Sequence, residues 1–162
     1  MTRVMGILNT TPDSFSDGGL WADRDRAVEH ALAMVEAGAD IIDVGGESTR
    51  PGANPVDATE ELRRVIPVIT ELRKRRPEAI LSIDTTKVAV AAEALAAGAD
   101  LVNDVSAASA PGMLDLVAKN NGGIALMHMR GEPRTMQVDT SYTDVVAEVH
   151  FFPARACIGR GR

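Results

Sequence analysis

The sequence predicts an α/β fold in which helices cover a parallel β-sheet. Five short apolar runs alternate with segments of helical periodicity along the 162 residues, a pattern typical of successive βα units. The composition agrees, because 45% of the residues are hydrophobic and only 3% are aromatic, so the core must consist mainly of Ala, Val, Leu and Ile. The segment AGADIIDVGG also has a counterpart 60 residues later, AGADLVNDVS, and this spacing equals about two βα units.

Each predicted strand is a short apolar run that a parallel sheet would bury on both faces. The five runs are Val4–Leu8, Asp40–Val44, Ile80–Ile83, Asp100–Val105 and Gly123–Met127.

The predicted helices fill the intervals between these strands. They cover residues 25–37, a segment capped by Asp57 or Thr59 that ends near residue 76, and residues 87–97, 111–120 and 142–152. Residues 10–22 are predicted as a loop, because Pro and paired Gly residues interrupt them. The basic residues 73–76 indicate either an anion site or a solvated helix end that complements the helix macrodipole, and we favour the helix end.

Polar residues lie at or near the carboxyl ends of five successive predicted strands. They are Asn9, Asp43, Asp84, Asn103 and His128. In a barrel these ends meet at one mouth, and in an open doubly wound sheet they line one edge, with a crevice at the switch point. Any one of them alone could be a turn residue or a helix cap. Asp43 and Asn103, however, are embedded in apolar runs, and a buried polar group there is costly unless it is paired or binds something.

Composition excludes several classes of function. A formal net charge of −6 argues against a general nucleic-acid or membrane surface. The single cysteine, Cys157, allows no intrachain disulfide and predicts a cytoplasmic location, as does the lack of a secretory signal. His128 has no second His or Cys at metal-ligand spacing, so zinc is not expected. Phosphate-binding, dinucleotide-binding and serine-hydrolase motifs are also missing from the sequence.

Five motifs carry a specific resemblance. They are MGILNTTPDSFSDGG (5–19), DVGGESTRPGA (43–53), SIDTTK (82–87), LVNDVS (101–106) and LMHMRGEPRTMQ (126–137). In order and spacing they resemble the dihydropteroate synthase family, over about residues 4–150. The resemblance implies a (β/α)₈ TIM barrel that condenses dihydropterin pyrophosphate with p-aminobenzoate in folate biosynthesis. It further implies Mg²⁺, sensitivity of the family to sulfonamides, and homodimers in many members.

The resemblance also implies roles for residues that match the family's motifs. Asp43, Asp84 and Asn103 would hydrogen-bond the dihydropterin and, with Arg50, make up the catalytic set. Met127 would form a wall of the pterin pocket.

The remaining implied roles concern the anionic group and the second substrate. Asn9 would contact Mg²⁺ and pyrophosphate, and Thr49 with Arg50 would touch substrate near the anionic groups. Phe15 and Pro51 would belong to mobile loops that close over p-aminobenzoate.

The resemblance ends before a barrel is complete. The five predicted strands compare with eight in the family, whose later Asp-Pro-Gly, Ser-Arg-Lys and Arg-x-His motifs are missing. We therefore expect a partial barrel domain over residues 1–150 and an atypical tail over 151–162, with a frameshift or gene truncation as the favoured origin. Such a chain is expected to have little or no activity and to aggregate. The alternatives are a pterin-binding methyltransferase-type domain, a non-catalytic pterin-binding remnant and a pseudogene product.

Overall fold

The structure is a computed structural model that describes residues 2–10, 19–47, 55–131 and 135–150, with the side chains of residues 19–23 excepted. In chain order its elements are β1 (Met5–Asn9), α1 (Gly19–Glu36), β2 (Ile41–Gly45), α2 (Ala58–Arg75), β3 (Ile80–Asp84), α3 (Val88–Ala96), β4 (Leu101–Asp104), α4 (Met113–Lys119) and β5 (Gly123–Leu126). Residues 145–150 form a further helical segment.

The five strands form one parallel sheet in the order β1-β2-β3-β4-β5. Each strand pairs with the next one in the chain, and within the described residues the order never reverses. A doubly wound sheet would contain a reversal at its switch point, whereas sequential order is that of a barrel wall. The prediction of a parallel α/β sheet and of an incomplete (β/α)₈ barrel with five strands is therefore confirmed.

The two faces of the sheet differ because successive side chains along a strand point to opposite sides. One face packs against the helices and carries the buried core residues Leu8, Ile42, Val44, Leu81, Ile83 and Val102. The strand register puts two rows on the other face. The lower row is Ile7, Asp43, Ser82, Leu101 and Gly123, and the upper row, at the carboxyl ends, is Asn9, Gly45, Asp84, Asn103 and Ala125.

The start of α1 corrects the sequence prediction. The helix begins at Gly19 rather than at residue 25, so residues 19–22 are helical and not part of a loop. The paired glycines favoured a loop, but Leu20 and Ala22 are strong helix formers, and a glycine in the first turn costs little. The five strands and the helices α2–α4 differ from their predicted bounds by at most two residues, which is the usual uncertainty of helix and strand ends.

The two ends of α2 are held by specific partners. At its amino end, Asp57 is the cap, because its Oδ1 accepts a hydrogen bond from the Glu60 amide at 2.8 Å. At its carboxyl end, Arg75 and Arg76 form ion pairs with Glu29 and Glu36 of α1. The basic end of α2 thus ties helices together, which the interpretation as a solvated helix end did not anticipate.

Candidate active site at the carboxyl ends of the strands

Gly45 leaves an open space in the upper row, between Asn9 and Asp84. A Cβ on Gly45 would lie 3.5 Å from Asp84 Oδ2 and 3.6 Å from Asn9 Oδ1. These two side chains come from strands that are not neighbours, β1 and β3. The missing side chain on β2 therefore lets an amide oxygen and a carboxylate approach the same spot above the sheet.

Asp43 and Asn103 make a direct contact across β3. Asn103 Nδ2 donates a hydrogen bond to Asp43 Oδ2 at 2.9 Å, although the two residues are 60 positions apart. Asp43 is 3% exposed, and its neighbour in the lower row, Ser82, is fully buried. Asp43 Oδ1 and Ser82 Oγ find no hydrogen-bond partner within the described residues. Native proteins rarely leave buried polar atoms unsatisfied, so this pair of oxygens indicates a place that a ligand or water satisfies.

Asp84 is the electrostatically unusual group of the row. Burial, followed by the negative charges of Asp43, Glu61, Asp104 and Glu47, raises the pKa of Asp84 to about 7. Burial and like charges both penalise the ionised carboxylate. Near neutral pH Asp84 is therefore present in both protonation states, and a ligand with hydrogen-bond donors or positive charge would draw it to the ionised one.

Three charged residues form a compact group beside this row, and we call them the Lys87 cluster: Lys87, Glu47 and Glu61. Lys87 Nζ donates to Glu61 Oε2 at 2.5 Å and also to Glu47 Oε2. Burial works to lower the pKa of Lys87, but the hydrogen bonds to both carboxylates outweigh it and raise that pKa. Sequence reasoning missed this cluster. The available signal was Glu61, a carboxylate in register with the apolar stripe of α2 that contains Val65 and Val68.

Asp104 has a structural task. Its side chain is fully buried and lies on the helix side of β4. Its Oδ1 accepts hydrogen bonds from the amide and hydroxyl of Ser106 at 2.7 Å, and its Oδ2 accepts one from the Ala108 amide at 3.1 Å. Ala107 and Ala108 have positive φ angles of 54° and 57°, a strained conformation for alanine. Asp104 thus fixes the turn that immediately follows Asn103.

The chain after β5 folds back over the carboxyl end of that strand. His128 Nε2 lies 3.1 Å from the Tyr142 hydroxyl, and the Arg130 guanidinium lies 4.3 Å from the centre of the Tyr142 ring. Arg130 also pairs with Glu148. His128 therefore contacts this returning segment, and Met127 lies half-buried beside it.

Sequence-predicted site residues fall into two groups. Asn9, Asp84 and Asn103 share the upper row, Asp43 lies one row below, and Met127 follows β5. Phe15, Thr49, Arg50 and Pro51 lie outside the described residues, as does Cys157. Within the described part of the chain, there is no group of three or more His, Cys, Asp or Glu that could hold a metal ion. No helix in that part is both long and apolar enough to cross a membrane.

Comparison with known proteins agrees with the motifs. A family model described as pterin binding enzyme matches residues 5–157. Dihydropteroate synthase from Synechocystis sp. is 52% identical over 161 residues, which cover 98% of this chain and 55% of that protein.

Two solved structures of dihydropteroate synthases have the same fold. The Yersinia pestis enzyme, in a sulfonamide drug complex, superposes with a TM-score of 0.85 at 47% identity, over 98% of this chain and 58% of that one. The Burkholderia cenocepacia enzyme, complexed with 7,8-dihydropteroate, gives a TM-score of 0.78 at 50% identity, over 95% of this chain and 51% of that one.

This chain therefore spans about half the length of the relatives it matches. The resemblance to dihydropteroate synthase that the five motifs indicated is confirmed, and the chain belongs to the pterin-binding enzyme family.

Proposed function

We propose that this chain carries the pterin-recognising part of a dihydropteroate synthase. The proposed reaction joins the methylene carbon of a dihydropterin pyrophosphate to the amino nitrogen of p-aminobenzoate. The carbon–oxygen bond to pyrophosphate breaks, the carbon–nitrogen bond forms, and the amine releases one proton. The observation that carries the proposal is the pair of acidic groups at the carboxyl ends of the strands, the buried Asp43 with an unsatisfied oxygen and the half-buried Asp84 with a raised pKa.

Recognition of a pterin fits the hydrogen-bonding character of these groups. The edge of a pterin presents ring N–H and amino donors, and carboxylate and amide oxygens accept from such donors. Asp43 Oδ1 is a buried acceptor in need of a donor. Asn103 directs its NH₂ group toward Asp43 Oδ2, and this contact fixes the orientation of its amide. A flat heterocycle rich in donors would therefore satisfy the row.

The same carboxylates suit the charge that develops during the reaction. If pyrophosphate leaves first, the pterin becomes a cation, and fixed negative charges near the ring stabilise it. Because the pKa of Asp84 is about 7, a cationic ring would draw Asp84 into its ionised form. The proposal requires no covalent nucleophile.

Magnesium is part of the proposal, with Asn9 as its protein ligand. Mg²⁺ commonly takes one or two protein oxygens and completes its shell with substrate phosphates and waters. The Asn9 amide oxygen borders the space above Gly45. Asn9 could therefore supply one ligand to a Mg²⁺ ion whose other ligands come mainly from the pyrophosphate. When bound, Mg²⁺ would neutralise charge on the departing pyrophosphate.

The remaining assignments are also proposals. Thr49 and Arg50 would contact the anionic groups, Phe15 and Pro51 would close over p-aminobenzoate, and Met127 would line the pterin pocket. A homodimer, a cytoplasmic location and a domain division at residue 150 likewise remain predictions.

Two measurements test the proposal. Calorimetric titration of the purified chain with a dihydropterin pyrophosphate and Mg²⁺ is expected to show binding, and Asp43→Asn is expected to weaken it. A steady-state assay with p-aminobenzoate then separates a synthase from a non-catalytic pterin-binding remnant, which would bind without turnover. The absence of binding would contradict the pterin site itself. Methyl transfer from a methylated pterin in place of condensation would favour the methyltransferase-type alternative, which the TPDSFSDGG and GGESTRPGA motifs disfavour.

A further inference from the structure

The Lys87 cluster connects three separate segments of the chain at the mouth of the sheet. Lys87 directly precedes α3, Glu47 follows β2 by two residues, and Glu61 lies in the first turn of α2. Glu61 is fully buried, while the side chains of Lys87 and Glu47 are each 27% exposed. A single cation therefore pairs with two carboxylates, one of which is buried.

Stability alone is a poor reason for this arrangement. Apolar residues of similar volume often replace a buried ion pair at no cost in stability, and the neighbours of Glu61 along α2, Val65 and Val68, are already apolar and buried. Glu61 Oε1 also has no hydrogen-bond partner within the described residues. We therefore look for the role of the Glu61 carboxylate in the positions of the segments it connects, and not in the stability of the core.

The geometry concerns the chain just after β2. A Cβ on Gly46 would lie 2.9 Å from Val65 Cγ1 and 3.0 Å from Glu61 Cγ, so Gly46 packs directly on α2. Arg64 donates a hydrogen bond to the Gly46 carbonyl at 2.8 Å. With Lys87 bound to Glu47, the chain that leaves β2 is held at two successive residues.

The chain just after β3 is held by the same lysine. Lys87 lies three residues after Asp84, and its backbone amide donates to Thr85 Oγ1 at 3.2 Å. The Thr85 amide in turn donates to the Asn103 carbonyl at 3.1 Å. The Lys87 cluster therefore links the carboxyl end of β2 to that of β3, where Gly45 and Asp84 share the upper row.

We propose that Lys87 is a positioning residue that acts through Glu47 and Glu61 and holds the ends of β2 and β3 at the spacing a pterin needs. The identity of the ligand rests on the proposed function, whereas the link between the two strand ends does not. Without the link, Glu47 loses its fixed position relative to Asp84, and pterin affinity falls about tenfold.

The test compares variants that separate positioning from stability. Lys87→Met leaves Glu61 buried without a cation and is expected to lower the unfolding midpoint by roughly 10 °C. Adding Glu61→Gln removes the buried charge and restores most of that midpoint without restoring the link. Glu47→Ala breaks the link on its exposed side and leaves the pair of Lys87 and Glu61 intact. Arg75→Met, which removes a cation from an ion pair at the far end of α2, is the matched control.

Two measurements are made on the full chain. The first is the backbone order parameter of residue 47 from ¹⁵N relaxation, expected to fall from about 0.85 to below about 0.6 in the double variant and in Glu47→Ala. The second is calorimetric affinity for a dihydropterin without pyrophosphate, which is expected to drop about tenfold in both variants. The affinity of Lys87→Arg should lie within about threefold of that of the parent chain, and the affinity of Arg75→Met should equal it.

Each outcome decides a different claim. Unchanged order parameters in both variants would overturn the link, whereas a double variant that regains full affinity together with its stability would overturn the role of the link in binding. Lower order parameters with unchanged affinity would overturn the role in binding. If the parent chain binds no pterin, the proposed function fails, while the order parameters still decide whether Lys87 positions the two strand ends.

Discussion

The two ends of the sheet use charged residues in opposite ways. At the amino end, Arg73 donates hydrogen bonds to the carbonyls of Pro77, Ala79 and Gly98 and to the carboxylate of Asp100. Asp100 also accepts from the Leu81 amide at 2.9 Å. The groups in this cluster are well paired, and it closes the connections between α2, β3 and β4.

At the carboxyl end, polar groups are packed more deeply but satisfied less well. Asp43, Ser82 and Glu61 are each buried and each keep one polar atom without a partner within the described residues, and Asp84 has a raised pKa. Unsatisfied buried groups cost stability. The amino end therefore contributes to stability, whereas the carboxyl end retains buried polar groups whose unfavourable free energy a bound ligand can reduce. Four substitutions test this contrast.

The largest expected effect concerns Asp84 and pH. A carboxyl whose folded pKa is about 7, against an ordinary value of 3.8, binds protons more tightly in the folded state. It therefore stabilises the fold below pH 4, and this contribution disappears as the pH rises toward 7 and above. Asp84→Asn should remove the dependence and raise stability at pH 8 by up to about 4 kcal/mol. Urea unfolding of the parent chain and of Asp84→Asn from pH 4 to pH 8 measures this difference. Parallel pH profiles of the two proteins would contradict the raised pKa of Asp84.

The next effect concerns the amino end. Arg73→Ala removes the paired cluster and leaves several carbonyls and Asp100 without their donor, so unfolding free energy should fall by roughly 2–4 kcal/mol. Pterin affinity should stay the same, because the cluster lies at the opposite end of the strands. Urea unfolding measures the free energy of unfolding, and calorimetric titration measures the pterin affinity. A loss of affinity in a variant that is still folded at the assay temperature would break the contrast between the ends.

Asp43→Asn is expected to act mainly on binding. The variant keeps the volume and the contact with Asn103 but removes the charge that accepts from a donor ligand, a loss of roughly 1.5–3 kcal/mol of binding free energy. That corresponds to about a 10- to 150-fold weaker affinity. Stability should be unchanged or higher, since a buried negative charge beside Asp84 is gone. Calorimetry and thermal unfolding of the same preparation check both outcomes, and a destabilised variant with normal affinity would reverse the interpretation.

The smallest expected effect concerns the buried Ser82 hydroxyl at the carboxyl end of the sheet. Ser82→Ala deletes a buried hydroxyl that has no partner within the described residues, so stability should rise by about 1 kcal/mol or less. Thermal unfolding detects this change. A clear loss of stability would indicate that Ser82 Oγ already has a partner, such as a buried water.

The sequence alone predicted a parallel sheet and the positions of its strands within one residue at each end. Short apolar runs and helix stops at Gly38 and Gly98 suffice for this, because they reflect local backbone preferences. The start of α1 differs from the prediction, because Gly18 and Gly19 favour a loop in the sequence whereas Leu20 and Ala22 favour a helix. The motifs also determined the family, which comparison with known proteins confirmed.

Tertiary structure decided how the polar residues act on one another. The sequence places Asp43 and Asn103 at strand ends, but only the register of three strands brings them into hydrogen-bond contact. The sequence gives no reason to connect Glu47, Glu61 and Lys87. These residues lie on three segments and come into contact only when α2 packs on the sheet. The raised pKa of Asp84 is equally a property of the fold, because it comes from burial and from carboxylates far apart in the chain. Local pattern determines where strands and helices form, while charge and burial depend on neighbours that only the packed chain supplies.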